Sequence, residues 1–77
     1  NIAYPLKYRV LFYLWDAAKH EQPYIRKIDL ISKLGSNERS INRVLKDLLV
    51  REVIEQDRGI LHILDEAIVQ QEMALFE

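Results

Sequence analysis

The side chains of this 77-residue chain best suited to chemistry are Arg39, Asn42, Arg43 and Lys46. At about 100° per residue, a helix through this stretch places all four within an arc of roughly 100°. Ile41, Val44, Leu45 and Leu48 then gather on the opposite side. Such a helix buries one face and offers cationic and amide groups on the other. In a DNA major groove, Arg can bind guanine in bidentate fashion and Asn can bind adenine, while Lys neutralises phosphate. The spacing points to a DNA reader.

Other chemistry finds less support. His20 and His62 are far apart in sequence, with no third ligand at metal spacing and no paired carboxylate nearby. His62 alternates with aliphatic neighbours in a predicted strand and reads as a solvent-facing residue. The chain has two glycines, Gly35 and Gly59, so no phosphate-binding glycine loop is present. The expectation is a protein that is not an enzyme and that carries no cofactor in this segment.

The elements that must position the basic face follow from local signals. Pro5 suits the first turn of a helix, where its missing N–H would be unpaired anyway. Leu6, Val10, Tyr13, Leu14 and Ala17 form one stripe of that helix. Tyr8, Leu11, Phe12 and Trp15 form a second on its far side, to be covered either by a partner or by local loops. Pro23 closes the helix. Tyr24-Ile25 reads as a very short strand, and Ile28, Leu30, Ile31 and Leu34 mark a second helix ending at Gly35. Leu34-Gly35-Ser36 supplies the tight turn of a helix-turn-helix.

Asn37 is a good N-cap for the third helix, which is expected to run to about Arg51. Residues 53–56 and 60–63 are β-prone and joined by Asp57-Arg58-Gly59, a hairpin signal with Gly in the left-handed region. Asp65 can cap a last helix from Glu66, with Ala67, Ile68 and Met73 facing inward. The predicted fold is mostly α with a small β-hairpin: a winged helix-turn-helix with a three-helix core, a wing and a C-terminal helix. Residues 1–77 are read as one domain. Lys27, Asn37 and Ser40 are placed like phosphate clamps, together with Lys46. Arg58 at the wing tip either reaches a phosphate or serves solubility.

Composition sets outer limits. An apolar content of 49% suits a packed globule and argues against disorder. Without cysteine there are no disulfides or thiolate metal sites. No apolar run is long enough to span a bilayer and no signal-peptide pattern opens the chain, so no membrane partner and a cytoplasmic location are expected. The first residue is Asn rather than Met, which is read as the start of a fragment. Net charge is only −1, yet residues 1–59 hold eleven basic and eight acidic side chains, whereas residues 60–77 hold four acids and no Lys or Arg. Positive charge therefore concentrates on the proposed reading segment.

Leu34-Gly35-Ser36-Asn37-Glu38-Arg39-Ser40-Ile41-Asn42-Arg43-Val44-Leu45-Lys46-Asp47-Leu48, then Val53-Ile54-Glu55, then Gly59 to Asp65, resembles the C-terminal winged-helix domain of the Crp/Fnr family of bacterial transcription regulators. That family shows a Leu-Gly-x-Ser-x-Glu-Thr-Val-x-Arg-x-Leu-x-x-Leu segment. The resemblance implies that Arg43 is the recognition arginine and that Glu38 and Arg39 are base readers at the helix start. It also implies a preceding sensor domain with a small-molecule effector, a homodimer on palindromic double-stranded DNA, and contact with RNA polymerase. Three positions depart from the family pattern: Arg39 stands where Glu is usual, Ile31 where a small residue is preferred, and Arg26 where a capping hydroxyl is found. Two rivals remain. A winged helix used for protein–protein contact draws on the second stripe and the acidic tail (Asp65, Glu66, Glu72, Glu77); RNA binding ranks lower, for want of exposed strand aromatics.

Overall fold

The computed structural model describes residues 4–21 and 24–76. In chain order they form α1 (Leu6–Lys19), β1 (Ile25–Arg26), α2 (Lys27–Leu34), α3 (Glu38–Val50), β2 (Ile54–Asp57), β3 (Ile60–Ile63) and α4 (Glu66–Ala74). The described residues are thus mostly helical, with a small antiparallel sheet. Pro23, expected to stop α1, and the acidic Glu77 lie outside the described residues.

Hydrophobic periodicity builds one core. Val10, Leu11 and Leu14 of α1 meet Leu30 of α2, Ile41, Leu45 and Leu48 of α3, and Val69 and Met73 of α4. Each such aliphatic side chain taken from water is worth about 1.5–3 kcal/mol. Two details of α1 differ from expectation. Pro5 stands just before the helix as its N-cap, where its carbonyl accepts from the Arg9 N–H at 3.1 Å. Leu11 belongs to the core rather than to the outer stripe.

Local chemistry ends the helices. Gly35 closes α2 in the left-handed region at φ 62°. The Asn37 Oδ1 accepts from the Arg39 N–H at 2.7 Å, and the Asp65 Oδ1 accepts from the Ile68 N–H at 3.2 Å. Past α3, Glu52 takes φ 58° while its N–H donates to Leu49 and that of Val53 to Leu48. This is a Schellman closure with a glutamate where glycine is commonest. Within α4, Val69 and Met73 are buried and Ala67 is exposed, so the inward face lies two residues later than Ala67 suggested.

The sheet has three strands in the order β1-β3-β2, both pairings antiparallel. Ile25 stands opposite Leu61, and Ile54 opposite Ile63. Tyr24 lies outside the first strand, and Val53 is buried just ahead of the second. Asp57 pairs with Ile60, which leaves a two-residue turn in which Arg58 (φ 54°) and Gly59 (φ 79°) are both left-handed. Two-residue hairpins favour that geometry because it matches strand twist, and they favour Asn or Gly in it. Arg58 is a strained occupant of the first position.

Candidate nucleic-acid interface

The amphipathic reading of α3 sets where its polar side chains emerge. Ile41, Leu45 and Leu48 are buried, and Val44 is partly so. Arg39, Arg43 and Lys46 are exposed, and none of them forms an ion pair with another described residue. Their charges therefore face solvent without internal compensation. Ser40 is also exposed, on the first turn. Glu38 opens the helix, where a carboxylate suits the positive end of the helix dipole.

Asn42 differs from its neighbours. It is half-buried, and its Oδ1 is enclosed with no hydrogen-bond partner among the described residues. A bidentate contact with adenine needs Oδ1 and Nδ2 together, so the amide must swing outward to make one.

The β2–β3 turn is held against the start of α2. The Lys27 N–H donates to the Gly59 carbonyl at 2.8 Å. Lys27, Glu38 and Arg58 thereby line one open groove of about 400 Å³ beside the first turn of α3. The fold brings together three residues that are distant in sequence. Ile28 lines the same groove and is 68% exposed, so it does not join the core with Leu30. Arg26 precedes α2 without capping it and binds Asp29 through two bonds of 2.9 and 3.1 Å. Its charge is largely spent on that pair. Ile31 is partly buried at the edge of the core.

Arg9 makes a tertiary contact that no local spacing announces. From α1 its Nη2 donates to the Leu34 carbonyl at 2.6 Å and its Nη1 to the Ser36 Oγ at 3.4 Å. It ties the α2–α3 turn to α1 and so fixes the angle at which α3 leaves. A charged residue beside an apolar stripe gives no local sign of a partner twenty-five residues away.

Two further expectations change. His62 is half-buried rather than simply solvent-facing. Its Nδ1 lies 3.1 Å from the Glu55 Oε1, and its ring packs 4.9 Å from that of Tyr24. The acidic tail is also partly committed: Asp65 caps α4, and Glu72 binds Lys7 at 3.1 Å and Arg51 at 2.6 Å. Both cations approach the Glu72 Oε1 closely but off the ideal hydrogen-bonding direction. Arg51 first, then Lys7, holds the Glu72 carboxyl below its ordinary range against the opposing effect of burial.

Among the described residues no group of three His, Cys, Asp or Glu side chains is placed to hold a metal ion. No helix there is long and apolar enough to cross a membrane. No protein-family model matches the chain, and no curated protein or solved structure matches it significantly. Fold and site alone define a mostly helical unit with a small antiparallel sheet and one unpaired basic helix face.

Proposed function

We propose that this chain is a winged helix-turn-helix that binds double-stranded DNA in a sequence-specific manner, with α3 in the major groove. The observation that carries the reading is the exposed, unpaired row of Arg39, Arg43 and Lys46 on a helix whose other face is locked into the core. In this reading Arg43 and Arg39 read guanine, Glu38 accepts from cytosine N4, and Asn42 joins after a side-chain rotation. Lys27, Asn37, Ser40, Lys46 and Arg58 contact phosphates and set the register. The hairpin turn is the wing. A role as the DNA-binding part of a cytoplasmic Crp/Fnr-like transcription regulator extends the proposal. There the effector and the dimer contact would reside in a further domain, and RNA polymerase would be a partner.

The test is a titration of the chain against duplexes of random and selected sequence at two salt concentrations. Binding that weakens steeply with salt, and a selected duplex preferred over random ones, supports the proposal. No affinity even at low salt overturns it. That result would favour a second reading, a winged helix used for protein contact, for which the specific observation is the exposure of Tyr4 and Phe12 on the outer side of α1.

A further inference from the structure

We infer that Asn42 is a two-position reader: in the free chain its amide is turned inward at a cost to stability, and on a duplex it turns out only to meet adenine. This role rests on the proposed duplex binding and names the residue that discriminates adenine within it. The starting observation is a single oxygen. The Asn42 Oδ1 is enclosed and accepts no hydrogen bond from any described residue. Enclosed polar atoms without partners are uncommon in folded chains, because each gives up its hydration with nothing in exchange. Asn42 as a whole is only half-buried, so the enclosure is local to one side of the amide.

The place of Asn42 on α3 gives the amide somewhere else to go. At about 100° per residue it lies roughly 20° from Leu49 and roughly 40° from Lys46, on the seam between the two faces of the helix. Leu49 packs against the core, whereas Lys46 is exposed. Within a helix an asparagine has two common settings about its first side-chain bond, so passing between them needs no change of backbone. Turned inward, the side chain is sheltered and its oxygen goes unpaired. Turned outward, it joins the row of Arg39, Arg43 and Lys46 with both polar atoms free to pair. Shelter and pairing oppose each other, so a modest added contribution decides between the two settings.

A base edge supplies that contribution selectively. Adenine offers an N6–H donor to the oxygen and an N7 acceptor to the Nδ2 hydrogens, which replaces what the inward setting lacks. Guanine offers N7 and O6, both acceptors, and gives the oxygen nothing. On guanine the amide stays in. Asn42 thus adds discrimination, while the exposed charges of Arg39, Arg43 and Lys46 attract any duplex.

Two variants test both halves of the role. Asn42→Val has about the helix propensity of asparagine and no polar atom to leave unpaired. Asn42→Ser, of similar propensity, removes the amide without crowding the site, and its hydroxyl can bond to the carbonyl one turn back. At least one of them should unfold at a temperature about 3 °C or more above the parent. On a selected duplex, exchanging each adenine in turn for guanine should reveal one at which the parent loses about tenfold in affinity. There the unsubstituted purine base, which lacks the N6 amino group, should behave like guanine. Both variants should bind the adenine duplex about as weakly as the parent binds the guanine one, with the preference at the base pair read by Arg43 retained. If neither variant raises the midpoint, the enclosed oxygen costs nothing and the inference is overturned. An adenine preference that survives in the variants, or is missing from the parent, overturns it too and leaves the DNA reading standing. Absence of binding to any duplex removes the DNA reading and the role of Asn42 together.

Discussion

The Arg9 guanidinium on α1 donates to the backbone carbonyl of Leu34 at 2.6 Å, bridging the first helix to the last residue of α2. A helix-terminal carbonyl lacks an intrahelical donor, and here a partly buried cation satisfies it. The contact decides how the turn that launches α3 is held. Arg9→Ala should lower stability by about 1–3 kcal/mol, since the carbonyl loses its charged donor. Thermal unfolding reads this as a drop of roughly 4–8 °C for each kcal/mol in a domain of this size. An unchanged midpoint would show that the contact carries no net stability.

Arg43 and Lys46 should separate base reading from phosphate contact. Arg43→Ala is expected to cost about 1–3 kcal/mol on a preferred duplex and to relax the preference at one base pair. Lys46→Ala and Lys27→Ala should weaken binding to all sequences alike and lower the salt slope by about one each. Fluorescence anisotropy at several salt concentrations measures both quantities. Equal losses from Arg43→Ala on selected and random duplexes would remove it from base reading.

Glu52 and Arg58 occupy left-handed backbone at φ 58° and 54°. Relief of that strain is worth about 1–2 kcal/mol, against an entropic cost of about 0.5–1 kcal/mol for glycine. Glu52→Gly should therefore stabilise the chain by up to about 1 kcal/mol, read from urea denaturation. Arg58→Asn should also stabilise, because Asn-Gly suits the two-residue turn. If Arg58 contacts phosphate, that same variant binds duplexes more weakly, so stability and affinity move in opposite directions.

Glu72 should give stability a dependence on acid pH. Arg51 and Lys7 hold its carboxyl below the ordinary value of 4.5, so its contribution is present above that value and is lost as pH falls through the lowered folded-state value. Glu72→Gln should be less stable than the parent at pH 7, and the gap should close as the solution is acidified below 4.5. Denaturation curves at a series of pH values check this. A gap that stays constant with pH would assign the loss to packing of α4 rather than to charge.

The order of elements, the caps at Asn37 and Asp65, the glycine stop at Gly35 and the buried row of α3 are legible in the sequence, because each depends on residues within one or two turns. The exposed basic row of α3 follows from the same periodicity. The pairing of β1 with β3 was not legible, since Ile25 and Leu61 lie far apart in sequence and two-residue strands carry almost no pattern. The second stripe of α1 left a choice between a partner and local cover. The structure divides it: Leu11 goes to the core, Phe76 covers part of Tyr8, and Phe12 stays in the open. Ile28 looked like core by its type and spacing, yet the first turn of α2 lies at the rim of the groove.

By itself, the sequence determined which segments become helices, where they stop and which faces they bury, since hydrophobic period and capping act over a few residues. Only the tertiary structure decided that Arg9 grips the α2–α3 turn, that Lys27, Glu38 and Arg58 share a groove, and that the Asn42 amide is half-enclosed. Those outcomes depend on the angles at which helices and hairpin pack. Such angles are set by many side chains filling one volume at once, a condition that no local spacing encodes.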